Sequence, residues 1–346
     1  MNPYLTPNAI CSDLENNRIS KGLAIDLLIS LIEGSDDTNL RAQSISALKR
    51  IQTKSKKLFK ILENCIVSDE NALIRSAAAE SILHNYIDQG LNSILWSLEH
   101  DKSPLVLNAI IKLPENYKKS NWNQLIESVA KKVRKIADNI GILEKEALFI
   151  LDIESIFASK KPGYDLDLKT YDFYKEIGDS WLVIKNKQII SLNFNFFNWF
   201  LLKENPTIFN SLNRLIFPEI YLNLINNLNL AKYNEFKIPD SIGLLTSLRR
   251  LNLSHNYIQE LPTSISQLES LKELNLSWNN FQKFPEALFY LTSLEKLDLT
   301  HNNINEIPIL IKSLKSLRDL KLDNNNIREI PKDVKNFLSL IEEFSY

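Results

Sequence analysis

Glycine, cysteine and histidine are scarce in this chain of 346 residues, with seven, two and four copies respectively. Because so few glycines are present, neither of the glycine-rich motifs that cradle nucleotide phosphates occurs, and no cofactor is expected. Cys11 and Cys65 stand far apart, without the CxxC spacing of a zinc site, which predicts buried thiols with a structural role. The histidines fall in no HExxH motif and no Cys/His cluster, so the sequence also predicts no bound metal.

Neither sign of charge dominates, since 41 lysines and arginines stand against 42 aspartates and glutamates. A formal net charge of -1 gives no global field that would attract nucleic acid or an anionic membrane, so neither is an expected partner. No run of about 18 apolar residues occurs, and the first residues lack the pattern of a signal peptide. We therefore expect no membrane insertion and a cytoplasmic location.

The second half of the chain contains a phrase that recurs with a period of 23 residues. Its pattern is L-x-x-L-x-L-x-x-N, followed by an apolar residue and a proline. The opening leucines are Leu248, Leu271, Leu294 and Leu317. The asparagines are Asn256, Asn279, Asn302 and Asn325, and the prolines are Pro262, Pro285, Pro308 and Pro331. A fixed period of this length indicates coils that stack into a solenoid.

Each copy is expected to contain one short strand. In Leu251-Asn252-Leu253 the side chains alternate, which places both leucines in the interior and Asn252 outside. Asn256 falls where the chain leaves the strand, and we expect its amide to bond backbone groups of its own turn and of the next one. The proline then ends the strand, and Ile265 returns an apolar side chain to the core.

The repeated phrase resembles the leucine-rich-repeat family, and the form LxxLxLxxNxIxxLPxxIxxLxx is similar to its intracellular Ras-group branch. The resemblance covers about residues 225–346. It implies a solenoid that binds proteins, and for the Ras-group branch it implies a small GTPase or a regulator of one as the partner.

Both ends of this repeat region carry further expectations. Residues 181–194 predict a β-hairpin that begins the sheet, whereas residues 195–225 indicate irregular repeats without a clear register. Leu340 is expected to open a fifth copy. A helix at 334–344, with Val334, Phe337, Leu338 and Ile341 as its apolar stripe, is expected to cover the last coil.

The first half, from about residue 5 to 158, has apolar residues at i, i+3, i+4 and i+7, which predicts amphipathic helices. An acidic residue before a helix and an arginine within it recur around Arg41 and Arg75, 34 residues apart. Asp101 begins a third copy, in which Leu107 or Asn108 replaces the arginine, and residues 122–157 predict a fourth helical pair. The pattern resembles the HEAT-repeat family, and this resemblance implies that the arginines link neighbouring repeats.

The expected fold class is multidomain α plus α/β. A HEAT-like α-solenoid is predicted at 1–158, and a leucine-rich-repeat solenoid with a short-stranded parallel sheet on its concave face at 181–346. A polar segment with Pro162 and Gly163 predicts the junction between them, at 159–180.

Consensus-variable positions on successive strands become lateral neighbours on the concave face. The candidate protein-binding residues form three columns. The first, which alternates in charge and is expected to pair with itself, is Arg250, Glu273, Lys296 and Asp319. The second is Asn252, Asn275, Asp298 and Lys321. The third is His255, Trp278, His301 and Asn324.

Trp278 has two interpretations: it is an exposed binding anchor, or it lies flat on neighbouring side chains. His255 and His301 share the column of Trp278 but should stand about 10 Å apart, too far to chelate a metal.

The absence of a catalytic constellation favours a non-catalytic scaffold or adaptor that binds protein partners on its solenoid surfaces. Two alternatives stay open. One is an enzyme or enzyme subunit, for example a HEAT-type lyase or a ligase that acts through a cysteine. The other is a structural protein that assembles head to tail.

Overall fold

The computed structural model of the protein describes residues 6–51, 55–112, 122–158, 182–193 and 237–346. These residues group into two compact units. The helical unit takes its residues from Met1–Lys135 and Leu151–Asp167, and the repeat unit from Ile136–Ile150 and Leu168–Tyr346. The predicted junction at 159–180 lies outside the described residues, so the predicted domain boundaries stay a prediction.

Amphipathic helices fill the described part of the first half. They are α1 (Pro7–Glu15), α2 (Lys21–Gly34), α3 (Thr38–Ile51), α4 (Lys56–Ser68), α5 (Ala72–Asn85), α6 (Ile87–His100), α7 (Pro104–Ile111), α8 (Asn123–Ile140) and α9 (Glu144–Ala158). Side chains of Ser20, Ser55 and Asn71 begin α2, α4 and α5 by accepting a hydrogen bond from a backbone N–H of the first turn. The helical character predicted for this half, including the pair at 122–157, is confirmed.

The helices of the helical unit pack in two rows. In one row α5 lies between α3 and α7, and in the other α4 packs against α6. Because α5 also contacts α4 and α6, its apolar residues are covered on several sides, and Ile74, Ala78 and Ile82 have no exposed surface. This two-row arrangement leaves one face of α4 and of α6 in water.

Two arginine–aspartate contacts join consecutive helix pairs. Arg41 donates to Asp69 at 2.6 Å, and Arg75 donates to both carboxylate oxygens of Asp101 at 2.8 and 3.1 Å. The second pair is largely buried, with 16% and 5% of the two side chains exposed, and its bidentate geometry compensates for the lost hydration. The predicted linking role of both arginines is confirmed. Buried Leu107 takes the equivalent place in the third copy and carries no charge.

A seven-stranded sheet forms one side of the repeat unit, in chain order from the first strand to the last. Its strands are β1 (Leu182–Lys185), β2 (Gln188–Asn193), β3 (Arg250–Asn252), β4 (Glu273–Asn275), β5 (Lys296–Asp298), β6 (Asp319–Lys321) and β7 (Glu343–Ser345). β1 and β2 form the predicted antiparallel hairpin. Its turn residues Asn186 and Lys187 have φ values of 52° and 59°, as a two-residue hairpin turn requires. All later pairings are parallel, as predicted.

Leucines of successive coils align in the core beneath this sheet. The register stacks Leu251, Leu274, Leu297 and Leu320. Short 3-10 helices lie on the opposite side of the coils: Asp240–Leu244, Thr263–Gln267, Glu286–Tyr290 and Ile309–Ser313. From these, Ile265 and Ile311 return fully buried side chains, so the predicted apolar return is confirmed.

The end of the stack differs from the prediction. The last helix, α10, spans Lys332–Leu338 and does not continue to 344, because Phe344 belongs to β7 and aligns with Leu320. Leu340 is 81% exposed, whereas Ile341 is buried and opens the fifth copy. An α-helix in place of the usual five-residue 3-10 helix takes one more residue, which shifts the following copy by one position.

Some predictions fall outside the described residues. These are the irregular repeats at 195–225 and the first repeat upstream of Lys237.

Close packing of α6 against its neighbours depends on Gly90. A β-carbon added there would lie 2.2 Å from Ile82 Cγ2 and 3.2 Å from Phe59 Cε2. The first distance is far below van der Waals contact. Since Ile82 is fully buried, it has little room to move.

Gly90→Ala should therefore lower the free energy of unfolding by about 1–3 kcal/mol, the usual cost of overpacking a core. Gly22→Ala is the matched control, because a β-carbon there meets nothing nearer than Ser20 Oγ at 3.9 Å. The control should be neutral or stabilise by roughly 0.5–1 kcal/mol. Chemical denaturation measures both. Equal midpoints for the two variants would contradict the packing argument.

Candidate protein-binding surface on the strands of the repeat unit

Buried asparagine amides tie the coils together beside the strands. Asn279 Nδ2 donates to the carbonyl of Leu276 in its own coil and to that of Leu253 in the coil before, both at 2.9 Å. Its Oδ1 accepts from the backbone N–H groups of Asn256 at 3.2 Å and Ile258 at 2.8 Å. One side chain thus satisfies backbone groups that no strand partner reaches.

Asn302 and Asn325 likewise donate to a carbonyl of their own coil and to one of the coil before, and each accepts one backbone N–H of that preceding coil. The predicted role of the asparagine is confirmed, but the direction is reversed: the amide bonds back to the preceding turn and not on to the next. The residue before each asparagine has a left-handed backbone.

The outward side chains of β3 to β6 make up what we call the strand face. Its residues are Arg250, Asn252, Glu273, Asn275, Lys296, Asp298, Asp319 and Lys321. The strand register places Arg250, Glu273, Lys296 and Asp319 side by side, and likewise Asn252, Asn275, Asp298 and Lys321. They line a shallow hollow of about 470 Å³. Within each of the two predicted columns, successive residues are therefore lateral neighbours.

The charged column does not pair with itself as expected. Along β3 to β6, no ion pair of 4.0 Å or less joins Arg250 to Glu273, Glu273 to Lys296, or Lys296 to Asp319. Asp319 instead approaches Lys321 of its own strand, at 4.0 Å. Parallel neighbours project away from the sheet side by side, and exposed ammonium and guanidinium groups are better solvated than paired. Arg250, Glu273 and Lys296 therefore have no ion pair within the strand face.

The second column is built on a local turn. Asn252 Oδ1 accepts from both the backbone N–H and the hydroxyl of Ser254, at 3.0 and 2.7 Å. Asn275 does the same with Ser277, and Asp298 with Thr300. These hydroxyls therefore have a structural role.

At the rim of the strand face, three aromatic rings form what we call the rim stack. Trp278 lies between His255 and His301, with ring centroids 5.3 and 3.7 Å apart and interplanar angles of 11° and 17°. Trp278 nevertheless keeps 49% of its surface exposed. Trp278 therefore lies flat between its two neighbours, as one interpretation expected, and its role as a binding anchor stays a prediction.

The backbone of the rim stack is left-handed, with φ of 60° at His255, 57° at Trp278 and 53° at His301. This conformation is unfavourable for bulky side chains, and stacking of the rings offsets part of that cost. Asn324 continues the column with φ 58°, and its Nδ2 lies 3.1 Å from His301 Nε2. Burial, and then the neighbouring His301, lower the pKa of His255.

The indole between the two histidines separates them, as expected for residues two coils apart. In the described part of the chain, no group of three or more His, Cys, Asp or Glu side chains is placed to hold a metal ion. Within the same described residues, no helix is both long and apolar enough to cross a membrane.

Sequence reasoning missed the buried acids of α9. Glu146, Asp152 and Glu154 are all less than 5% exposed. Glu146 Oε2 accepts the backbone N–H of Ile189 in β2 at 3.0 Å, and burial raises the pKa of this carboxyl. Asp152 pairs with Lys112 at 2.5 Å. The apolar residues around each acid in the sequence were the available signal.

Comparison with known proteins agrees with the repeat pattern. Residues 223–281 and 279–327 match the family model named leucine rich repeat. A leucine-rich-repeat protein of Leptospira interrogans is 40% identical over 29% of this chain and 25% of that one, with a TM-score of 0.27. The internalin InlF of Listeria monocytogenes is 24% identical over 32% of this chain and 31% of that one, with a TM-score of 0.28. The matches thus span about a quarter to a third of these structures. No curated protein matches the sequence.

The family match places leucine-rich repeats in the C-terminal region. Domains of this kind generally mediate protein–protein interactions, and the helical first half precedes them in the chain.

Asn279→Ala should lower the free energy of unfolding by roughly 3 kcal/mol, because two backbone N–H groups lose their acceptor and two carbonyls lose a donor inside the protein. Asn303→Ala removes an exposed amide of the neighbouring column and should change stability by less than about 0.5 kcal/mol. Urea denaturation followed by circular dichroism measures both. A cost for Asn279→Ala no larger than that of the control would show that the amide does not hold the coils together.

Proposed function

We propose that this protein is a non-catalytic scaffold that binds protein partners, and that the strand face with the rim stack is its principal binding surface. One observation carries the proposal: Arg250, Glu273 and Lys296 form no ion pair within the strand face, where Lys321 approaches only Asp319 of its own strand, and a half-exposed tryptophan stands beside them. Tryptophan and arginine are among the residue types most enriched at protein–protein interfaces, and both are exposed here.

The finer parts of the proposal rest on resemblance. We propose a small GTPase or a regulator of one as the first class of partner to test, because the repeat form is similar to the Ras-group branch. The arginine–aspartate links support a HEAT-like helical unit. We also propose a cytoplasmic location, which two buried free thiols support because reducing compartments keep cysteines unpaired.

The chemistry of Cys65 weighs against an enzyme that acts through this cysteine. Burial, and then the charge of Asp69, raise its pKa to about 11, with a smaller opposing effect of Arg41. A thiol nucleophile needs the opposite shift, since the thiolate is the reactive form. Cys11 is buried as well.

Affinity capture followed by mass spectrometry tests the binding surface with two pairs of variants. Trp278→Asn and Arg250→Glu change the strand side, and an asparagine suits the left-handed backbone, as Asn324 shows. Tyr290→Ala and Lys312→Glu make comparable changes on the exposed 3-10 side, where Tyr290 is 71% exposed. A partner of the wild type should lose at least about tenfold in affinity with either strand-side variant, the effect of about 1.4 kcal/mol.

The control variants should bind this partner as the wild type does. If all four variants retain it, or if the 3-10 variants lose it instead, the proposed surface is wrong. Melting curves identify any variant that has simply unfolded.

Thiol labelling tests the alternative that the protein is an enzyme acting through a cysteine. In a Cys11→Ser variant at neutral pH, Cys65 should react far more slowly in the folded than in the unfolded protein, because at a pKa of about 11 only about one thiol in ten thousand is ionised. Labelling of the folded protein at the rate of the unfolded chain, or faster, would support a reactive cysteine and contradict this account.

A further inference from the structure

Two amides of the strand face have their orientation fixed by the chain itself. The backbone N–H of Ser254 lies 3.0 Å from the side-chain oxygen of Asn252, and that of Ser277 lies 2.9 Å from the oxygen of Asn275. A backbone N–H can only donate, so the atom facing it must be the amide oxygen. The NH2 groups of Asn252 and Asn275 consequently point away from their turns.

Neither NH2 group is hydrogen-bonded to a residue that the structure describes, and both asparagines are half-buried. Asn252 and Asn275 are paired on neighbouring strands, β3 and β4, which stand about 4.8 Å apart. The NH2 groups of Asn252 and Asn275, with four N–H bonds in all, therefore lie close together on the strand face. No described residue accepts a hydrogen bond from them.

Arg250 adds a positive charge beside these donors. It lies two residues before Asn252 on β3, is exposed, and forms no ion pair with a described residue. Glu273 is the one carboxylate of the strand face on β3 or β4, and it forms no ion pair with Arg250 or Lys296. Guanidinium and amide NH2 groups are donors without acceptor capacity, apart from the amide oxygens already used.

A carboxylate matches this cluster, because it is anionic, accepts several hydrogen bonds, and pairs with an arginine in bidentate fashion. The hydrogen-bond donors are confined to β3 and β4. On β5, the next strand, Asp298 occupies the same column and presents a carboxylate instead of an NH2 group. We propose that Arg250, Asn252 and Asn275 bind a carboxylate of an acidic segment of the protein partner. This inference rests on the proposed binding function of the strand face.

The chain itself supplies a nearly isosteric test. Asp298 closes the same turn on Thr300 that Asn252 and Asn275 close on serines, so aspartate is compatible with this backbone. Asn252→Asp combined with Asn275→Asp should keep the fold and replace the outward NH2 groups by carboxylate oxygens. The probe is a short fluorescent peptide of glutamates, measured by anisotropy at low ionic strength against the full chain.

The wild type should bind this peptide, and the double variant should bind it at least about tenfold more weakly. The variant replaces two NH2 donors by carboxylate oxygens, which cannot donate to the peptide carboxylates and repel them. Glu273→Gln should strengthen binding by removing the nearby negative charge. The control is Asn303→Asp combined with Asn326→Asp, which adds the same net charge at exposed amides outside the strand face and should change little.

Failure of the wild type to bind the glutamate peptide would overturn the inference. Equal weakening by the control pair would do so as well, since it would mean that only net charge matters. A glutamine peptide that binds equally well would show that carbonyl oxygens suffice and that no carboxylate is selected. In each case a partner that is lost with Trp278→Asn would still support the proposed function.

Discussion

Asparagine side chains that bond backward to the preceding coil are the contacts on which the repeat unit depends. Each coil has backbone groups that no strand partner reaches, and each such group left unpaired inside the protein would cost about 1–3 kcal/mol. Asn279 and Asn302 satisfy several of these groups at once and fix the distance from one coil to the next. The spacing of every outward side chain follows from that distance.

Function in such an architecture belongs to the positions that the coil does not need. The leucines fill the core, the asparagines close the coils, and several outward side chains, such as Arg250 and Lys296, make no contact that the coil needs. In this chain those residues form the charged strand face and the rim stack around Trp278. The helical unit uses its charge differently, since Arg41 and Arg75 are taken up by contacts between helix pairs. Recognition is therefore expected at the repeat unit first.

Much of this could be predicted from the sequence, because a period of 23 residues sets both the core and the lateral neighbours. The prediction was wrong where a structural difference cannot be read from the spacing of the repeated residues. Ile341, not Leu340, opens the last copy, because α10 takes one residue more than a 3-10 helix. Strand register placed Lys296 beside Glu273 but does not decide between pairing and hydration. That Trp278 is both covered and exposed depends on ring contacts that only coordinates reveal.

The claim that recognition occurs on the strand side is tested most directly by side-chain oxidation footprinting of the full chain, with and without a captured partner. Trp278 and Tyr290 are both substantially exposed aromatic residues on opposite sides of the coils. The account predicts that the partner protects Trp278 from oxidation and leaves Tyr290 as reactive as before. Protection of Tyr290 with Trp278 unchanged would contradict it.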